Sequence, residues 1–223
     1  MNKVATTAQM KELDRIAIEE RGIPSLELME HAAGKVAERV HKVLDKSVTK
    51  RITVLCGTGN NGGDGIAAAR ILKKEGCDVR VFLVGKREKM TPDSLKNEKR
   101  LQETELQLED FSAEDDRILR WLQRSDCIVD ALFGVGLKRA LAGDFLTAVQ
   151  WMNQVNCPVI SCDIPSGVDG DTGEILGNAV RADWTVTFSC GKPGLYQGEG
   201  AVCAGKVEIV EIGIPEELIR EFL

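Results

Sequence analysis

The segment RITVLCGTGNNGGDGIAAARILKKEG, Arg51 to Gly76, constrains the fold more than any other. RITVLCG is apolar and β-branched without alternation, which suits a strand buried on both faces. A turn of glycine and asparagine follows, and then DGIAAARILKKEG, whose small and apolar residues suit a helix stopped at Gly76. This strand-then-helix unit recurs. DVRVFLVG, CIVDALFG and CPVISCDIPSG read as further strands, with DWTVTFSCGKPG and GKVEIVEIGIP as two more near the far edge. TPDSLKNEKRLQETE, SAEDDRILRWLQRS and LAGDFLTAVQWMNQV supply helices between them. Such alternation predicts an α/β fold with a mostly parallel sheet covered on both faces, and ligands held at the carboxyl ends of its strands. Ahead of the first strand, TAQMKELDRIAIEERGIPSLELMEHAAGKVAERVHKVL reads as two extra N-terminal helices broken at Gly22-Ile-Pro24. Met10, Leu13, Ile16 and Ala17 share one face of the first. No repeat, low-complexity run or linker marks a second unit, so residues 1–223 are taken as one domain.

A chain of 223 residues can bury a stable core without metals or disulfides. Its net charge of -6 and pI near 5.2 argue against a nucleic-acid surface built on bulk electrostatics. The seven cysteines are odd in number, form no C-x-x-C pair and mostly sit in apolar runs, as reduced thiols of a cytoplasmic protein do. The start MNKVATTAQM lacks the apolar stretch of a secretion signal, and no run of about 18 apolar residues occurs, so neither secretion nor membrane insertion is expected.

Gly57 to Gly62 satisfy G-x-G-x-x-G, the phosphate-binding turn of nicotinamide dehydrogenases, but their surroundings do not suit that chemistry. A dehydrogenase ends its next strand on an acid that holds the ribose hydroxyls. Here that strand ends VFLVGKREK and its only acid, Asp78, stands at its start; Lys86 or Arg87 would instead meet a 2′-phosphate. Asp64 would place negative charge where a pyrophosphate should lie, and locally it reads as a helix N-cap. Asn60 and Asn61 bring amide donors and acceptors into the turn, either to reach a ligand or because asparagine tolerates left-handed turns.

Two more strand ends carry candidates. Asp130 interrupts the apolar CIVDALFG, where a lone carboxylate is costly and requires a cation, a hydrogen-bond cluster or a basic side chain. No acidic cluster or His/Cys set accompanies it, which disfavours divalent and transition metals and leaves room for a weakly held monovalent ion. GVGLKRA, Gly134 to Ala140, offers backbone N–H groups, with Lys138 and Arg139 facing either a phosphate or solvent. Asp163 closes an apolar strand before Ile164-Pro165; partial burial would tune it for general acid/base work, and the alternative is a hydrogen bond to its own turn. Ser166 is not in a G-x-S-x-G elbow and both histidines, His31 and His41, lie in the second helix, which argues against a serine hydrolase. Asp169 and Asp171 read as turn formers. Lys192 reads as a contact in the same crevice or as a surface residue.

GTGNNGGDGIAAAR, DALFGVGL, DIPSGVDGDTG and TFSCGKPGL, in this order and with the openings TAQMKELDR and GIPSLELMEHA, resemble the NAD(P)H-hydrate epimerases, the family also known as the YjeF N-terminal domain. The resemblance runs nearly end to end. It implies a Rossmann-like three-layer α/β/α sandwich that takes a damaged dinucleotide as its substrate. The implied enzyme is an isomerase interconverting the R and S epimers of hydrated NADH and NADPH at C6. An S-specific dehydratase, often fused, then restores the cofactor. Carried over position by position, Asn60, Asn61, Gly62, Gly63 and Asp64, with Gly134, Val135, Gly136, Leu137, Lys138, Arg139 and Ala140, would contact substrate. Asn61, Asp130 and Ser166 would surround one potassium ion per subunit. Asp163 would sit at the substrate as general acid and then base, with Lys192 the second catalytic candidate. A homodimer through the N-terminal helices is also implied. Val135 replaces a frequent threonine and His31 a frequent asparagine. The competing expectation is a non-catalytic dinucleotide-binding or scaffold module of the same fold.

Overall fold

The computed structural model describes residues 3–45 and 47–223. Seven strands form one sheet: β1 (Arg51–Cys56), β2 (Asp78–Leu83), β3 (Leu108–Asp110), β4 (Cys127–Ala131), β5 (Val159–Cys162), β6 (Trp184–Phe188) and β7 (Lys206–Val210). Their order is β3-β2-β1-β4-β5-β6-β7, and every pairing is parallel. The chain starts at β1, builds to one edge, returns beside β1 and builds to the other edge. Strand order therefore reverses between β1 and β4, which opens a crevice at their carboxyl ends.

Helices α3 (Asn60–Lys74) and α4 (Pro92–Gln102) cover one face, together with α1 (Thr7–Arg15), α2 (Ser25–Val43) and α8 (Glu216–Phe222). The opposite face carries α5 (Asp116–Leu122) and α6 (Asp144–Met152), while α7 (Gly198–Ala204) leads into β7. Alternate residues of β1 serve the two cores: Ile52, Val54 and Cys56 pack under α3, and Leu55 packs under α5 and α6. The α/β/α sandwich and its two extra N-terminal helices are as the sequence predicts.

The glycine turn differs from expectation. Helix α3 begins at Asn60, with Gly59 at the cap and no side-chain cap bond, so Asp64 lies a full turn inside and is not the N-cap. Close packing is the cause. A Cβ on Gly62 would meet the Gly57 carbonyl oxygen, and one on Gly65 would meet Ala131 and, at 2.9 Å, the Cys56 sulfur. The glycines thus let α3 lie directly against the ends of β1 and β4. Strand β3 and helices α7 and α8 lie outside the predicted elements: β3 is a three-residue edge strand with two exposed acids, and α7 starts on glycine.

Helix α1 passes into a π-helical turn, Ile16–Glu20, before the chain reverses at Gly22 (φ 71°). The other end of α1 is anchored. Asp171 accepts hydrogen bonds from the Thr7 backbone N–H and from Thr7 Oγ1, each 2.6 Å, and Val4 bridges to Gly191. The acid meets unpaired N–H groups at a helix start, which fixes α1 over the carboxyl ends of the strands. Among the described residues no helix is long and apolar enough to cross a membrane, and all seven cysteines are free.

Candidate active site

A cavity of about 590 Å³ lies over the crevice, lined by the turns that follow β1, β4, β5 and β6 and bounded by Met10, Lys11 and Asp14 of α1. Asp163 follows β5 directly and has φ 66°, a left-handed conformation unusual for a residue with a side chain. Its surroundings hold it there. The Asp163 N–H donates to Val186 O at 2.8 Å. Oδ1 accepts from Thr187 Oγ1 at 3.2 Å, from the Phe188 N–H at 3.4 Å, and from the Lys192 ammonium. Oδ2 receives no hydrogen bond from the described residues, and a Cβ on Gly134 would lie 2.9 Å from it. One carboxylate oxygen is thus clamped and the other is left to the cavity.

Lys192 is 1% exposed, which overturns its reading as a surface residue. Its ammonium also donates to Thr187 Oγ1 at 2.9 Å and to Phe188 O at 3.0 Å. The positive charge is therefore fully spent on Asp163 and its neighbours.

Two further carboxyls line the same cavity. Asp64 is 9% exposed; burial first, then the charges of Asp163 and Asp14, push its carboxyl well above the usual range. Asp14 is pushed up to about 6 by burial and then by Asp163, with Lys192 opposing. Neither carboxyl accepts a hydrogen bond from the described residues. Asp14 is absent from the sequence candidates, although its spacing carried a signal. Met10, Asp14 and Ile18 fall on one stripe of the helix, four residues apart, and all three line the cavity.

Asp130 is fully buried at the end of β4, in register with Leu55 and Ser161. Its carboxylate accepts from Ser161 Oγ (2.8 Å), the Ser166 N–H (2.8 Å), Ser166 Oγ (2.6 Å) and the Leu132 N–H (3.2 Å). Burial raises its pKa and these four bonds hold it down, with no basic side chain contributing. Ser166 Oγ in turn accepts from the Phe133 N–H at 2.9 Å, so the cluster ties the ends of β4 and β5 together. Among the described residues no group of three or more His, Cys, Asp or Glu is placed to hold a metal.

The remaining sequence candidates divide. Asn60, Asn61, Gly134, Val135 and Gly136 line the cavity, and the Asn61 amide nitrogen is buried without a partner among the described residues. Gly62 and Gly63 lie behind it; a Cβ on Gly63 would sit 2.8 Å from Met29 Sδ and Ser94 Oγ, so both glycines serve packing. Leu137 turns into the core under α6. Lys138 reaches Thr7 Oγ1 at 3.4 Å and Asp171 at 3.8 Å, while Arg139 and Ala140 are exposed outside the lining. Asp169 forms its turn as expected, accepting from the N–H groups of Asp171 and Thr172 at 2.9 Å.

The fold and site define a doubly wound α/β protein whose dinucleotide-like glycine turn opens a carboxylate-lined pocket and lacks the ribose-binding acid of a dehydrogenase. More specifically, the chain belongs to the family described as YjeF-related protein N-terminus, whose model matches residues 25–194. It is 36% identical over 228 residues to the bifunctional NAD(P)H-hydrate repair enzyme Nnr of Moorella thermoacetica, a match covering 97% of this chain and 41% of that protein. The chain thus spans about two fifths of such bifunctional relatives. It is 38% identical over 208 residues to the NAD(P)H-hydrate epimerase of Limosilactobacillus reuteri, covering 93% of this chain and 94% of the relative. The crystal structure of yeast ynu0, YNL200c, is similar, with a TM-score of 0.84 and 26% identity over 99% of this chain and 93% of that one.

Proposed function

We propose that this chain is an isomerase that epimerises hydrated NADH or NADPH at C6 of the nicotinamide ring. Relatives named as epimerases, matched over nearly their whole length, support this activity. The observation that carries it is Asp163, with Oδ1 clamped by Lys192 and Thr187 and Oδ2 open to the cavity. C6 of the hydrate bears a hydroxyl and is bonded to the ring nitrogen. Protonating that hydroxyl as its bond breaks leaves a cation stabilised by the nitrogen lone pair, and water returning to the opposite face gives the other epimer. Asp163 serves this proton transfer, an effect typically worth about 10² to 10⁴-fold. Lys192 acts through Asp163 by holding Oδ1. Asn60, Asn61, Asp64 and the turn at Gly134, Val135 and Gly136 would contact the substrate. Leu137, Lys138, Arg139 and Ala140 would shape or flank that turn from outside.

Potassium fits the Asp130 cluster. Asp130 is a buried carboxylate with no cationic partner among the described residues, and the oxygens around it belong to hydroxyls, a pattern suited to a large monovalent ion. Asp130, Ser166 and Asn61 would hold one potassium ion per subunit, which would supply charge compensation beside the pocket. A higher melting temperature in potassium chloride than in choline chloride, lost in Asp130→Asn, is the expected result. Relatives named bifunctional support work alongside a second repair activity, an S-specific dehydratase, fused or separate. Free thiols favour a cytoplasmic setting, and a homodimer through the N-terminal helices is the assembly to test by sedimentation.

The decisive experiment is a chromatographic time course from R hydrate to S hydrate, with wild type and Asp163→Asn, in potassium and without it. Rapid conversion by wild type, lost in a folded variant, is expected. A rate equal to the spontaneous one, from protein that still binds the dinucleotide, would favour the non-catalytic binding module.

A further inference from the structure

Inversion at C6 requires hydroxide to leave one face of the ring and water to arrive on the other. Asp163 cannot readily serve both, because its left-handed backbone and the three bonds to Oδ1 fix it at the end of β5. A second proton-exchanging group must therefore stand on a different wall. Lys192 shares the wall of Asp163 and is committed to it. Lys11 is exposed to solvent. Asp64 is buried in α3, where burial and the charges of Asp163 and Asp14 push its carboxyl well above the usual range, and ionising it to take up a proton from water is disfavoured. Asp14 comes from α1, lines the cavity, and accepts no hydrogen bond from the described residues. Two residues further on, the helix widens into its π-helical turn, a local distortion frequent at functional sites.

We propose that Asp14 is the second acid/base group of this pocket, exchanging a proton with the C6 oxygen on the ring face turned away from Asp163. The assignment rests on the epimerase reading. The protonated member of the pair gives its proton to the C6 hydroxyl as the C–O bond breaks, and the bonding electrons leave with the water formed. Water then adds to the cation from the other face, and its released proton passes to the ionised member. Substrate and product have the same composition, the pair carries one proton before and after the turnover and none while the cation exists, and solvent exchange resets it for another turnover in the same direction. The charged or titratable groups around Asp14 are Lys11 on its own helix, Asp64 from α3, Asp163 after β5, and Cys190 and Lys192 after β6.

The test is kcat/KM for the hydrate against pH, corrected for spontaneous epimerisation, with wild type, Asp14→Asn and Asp14→Glu. Because the epimer equilibrium takes up no proton, both directions should show the same profile. Its alkaline limb should fall near pH 6, to which burial and the Asp163 charge push the Asp14 carboxyl. Asp14→Asn should lower kcat about 10² to 10⁴-fold, abolish that limb and leave KM within about threefold, while Asp14→Glu regains part of the rate. A folded Asp14→Asn with kcat within about threefold of wild type and the limb intact overturns the assignment. So does a wild-type profile without that limb, whatever the variants do. Wild type no faster than the spontaneous reaction overturns the epimerase reading and this assignment with it, whereas fast wild type and equally fast Asp14→Asn overturn the assignment alone.

Discussion

Replacing Lys192 by methionine keeps most of the apolar stem and removes the ammonium that faces Asp163. The two side chains are 1% and 10% exposed, so water does little to screen the loss. Asp163 Oδ1 is left with Thr187 Oγ1 and the Phe188 N–H, at 3.2 and 3.4 Å, as its donors among the described residues. Breaking one side of a buried pair costs about 3–5 kcal/mol, because the other charge stays desolvated. Asp163→Asn strands the ammonium instead, and a cost of similar size is expected. The double variant buries no unpaired charge and should lose only about 1–2 kcal/mol of hydrogen bonding. The cycle should therefore show a coupling of at least about 4 kcal/mol, with each single variant melting roughly 10 °C lower in a chain of this size. Urea unfolding followed by tryptophan fluorescence measures all four proteins. Single effects that add to within about 0.5 kcal/mol would refute the pairing as the force that holds Asp163.

Three more outcomes follow from the same cavity and its walls. Asp14 ionises near 3.8 when unfolded and near 6 when folded, so its charge opposes folding increasingly from pH 4 upward and fully above about pH 6. Asp14→Asn should gain about 1–3 kcal/mol of stability at pH 8 and no more than about 0.5 kcal/mol at pH 4; an equal gain at both would contradict the burial of this carboxyl. Gly134→Ala would set a methyl 2.9 Å from Asp163 Oδ2 and 3.3 Å from Asn61 Oδ1, and should fold normally while weakening hydrate binding by about tenfold or more. Unchanged binding by titration would remove Gly134 from the site. Six of the seven cysteines are buried, and Cys157, half-buried, is pushed up to about 11 by burial and then by Asp126. A thiol reagent at pH 8 should thus find at most one slowly reacting group in the native protein and seven in denaturant.

The sheet was legible because β1, β2, β4 and β5 are apolar runs separated by helices of ordinary length, and a parallel order follows from that alternation. Strand β3 was not, since LED offers a single apolar residue, Leu108, and no alternation, and it is a strand by pairing with Val81–Leu83. The carboxylate of Asp163 was legible from its place at a strand end before a stiff Ile-Pro turn. Asp64 was misjudged as a cap because its helix starts four residues earlier, a consequence of backbone contact that glycines permit but do not announce. The burial of Lys192 depends on where β6 and the following turn meet β5, which local pattern cannot report. Asp14 carried a pattern, an acid on an apolar stripe, but its partners come from distant strands.

Thr7 and the Asp171 carboxylate that anchors it are 164 positions apart, and Val4 meets Gly191 further on still. During synthesis the wall formed by α1 thus waits for a clasp made 164 positions later. Strands β1 and β2 can pair once Leu83 has emerged, but the chamber closes only when Asp171 and Gly191 have followed. A nascent chain is therefore folded in part before it is competent to hold a ligand, and a cut in the Asp171 loop would disarm the protein while leaving its sheet intact.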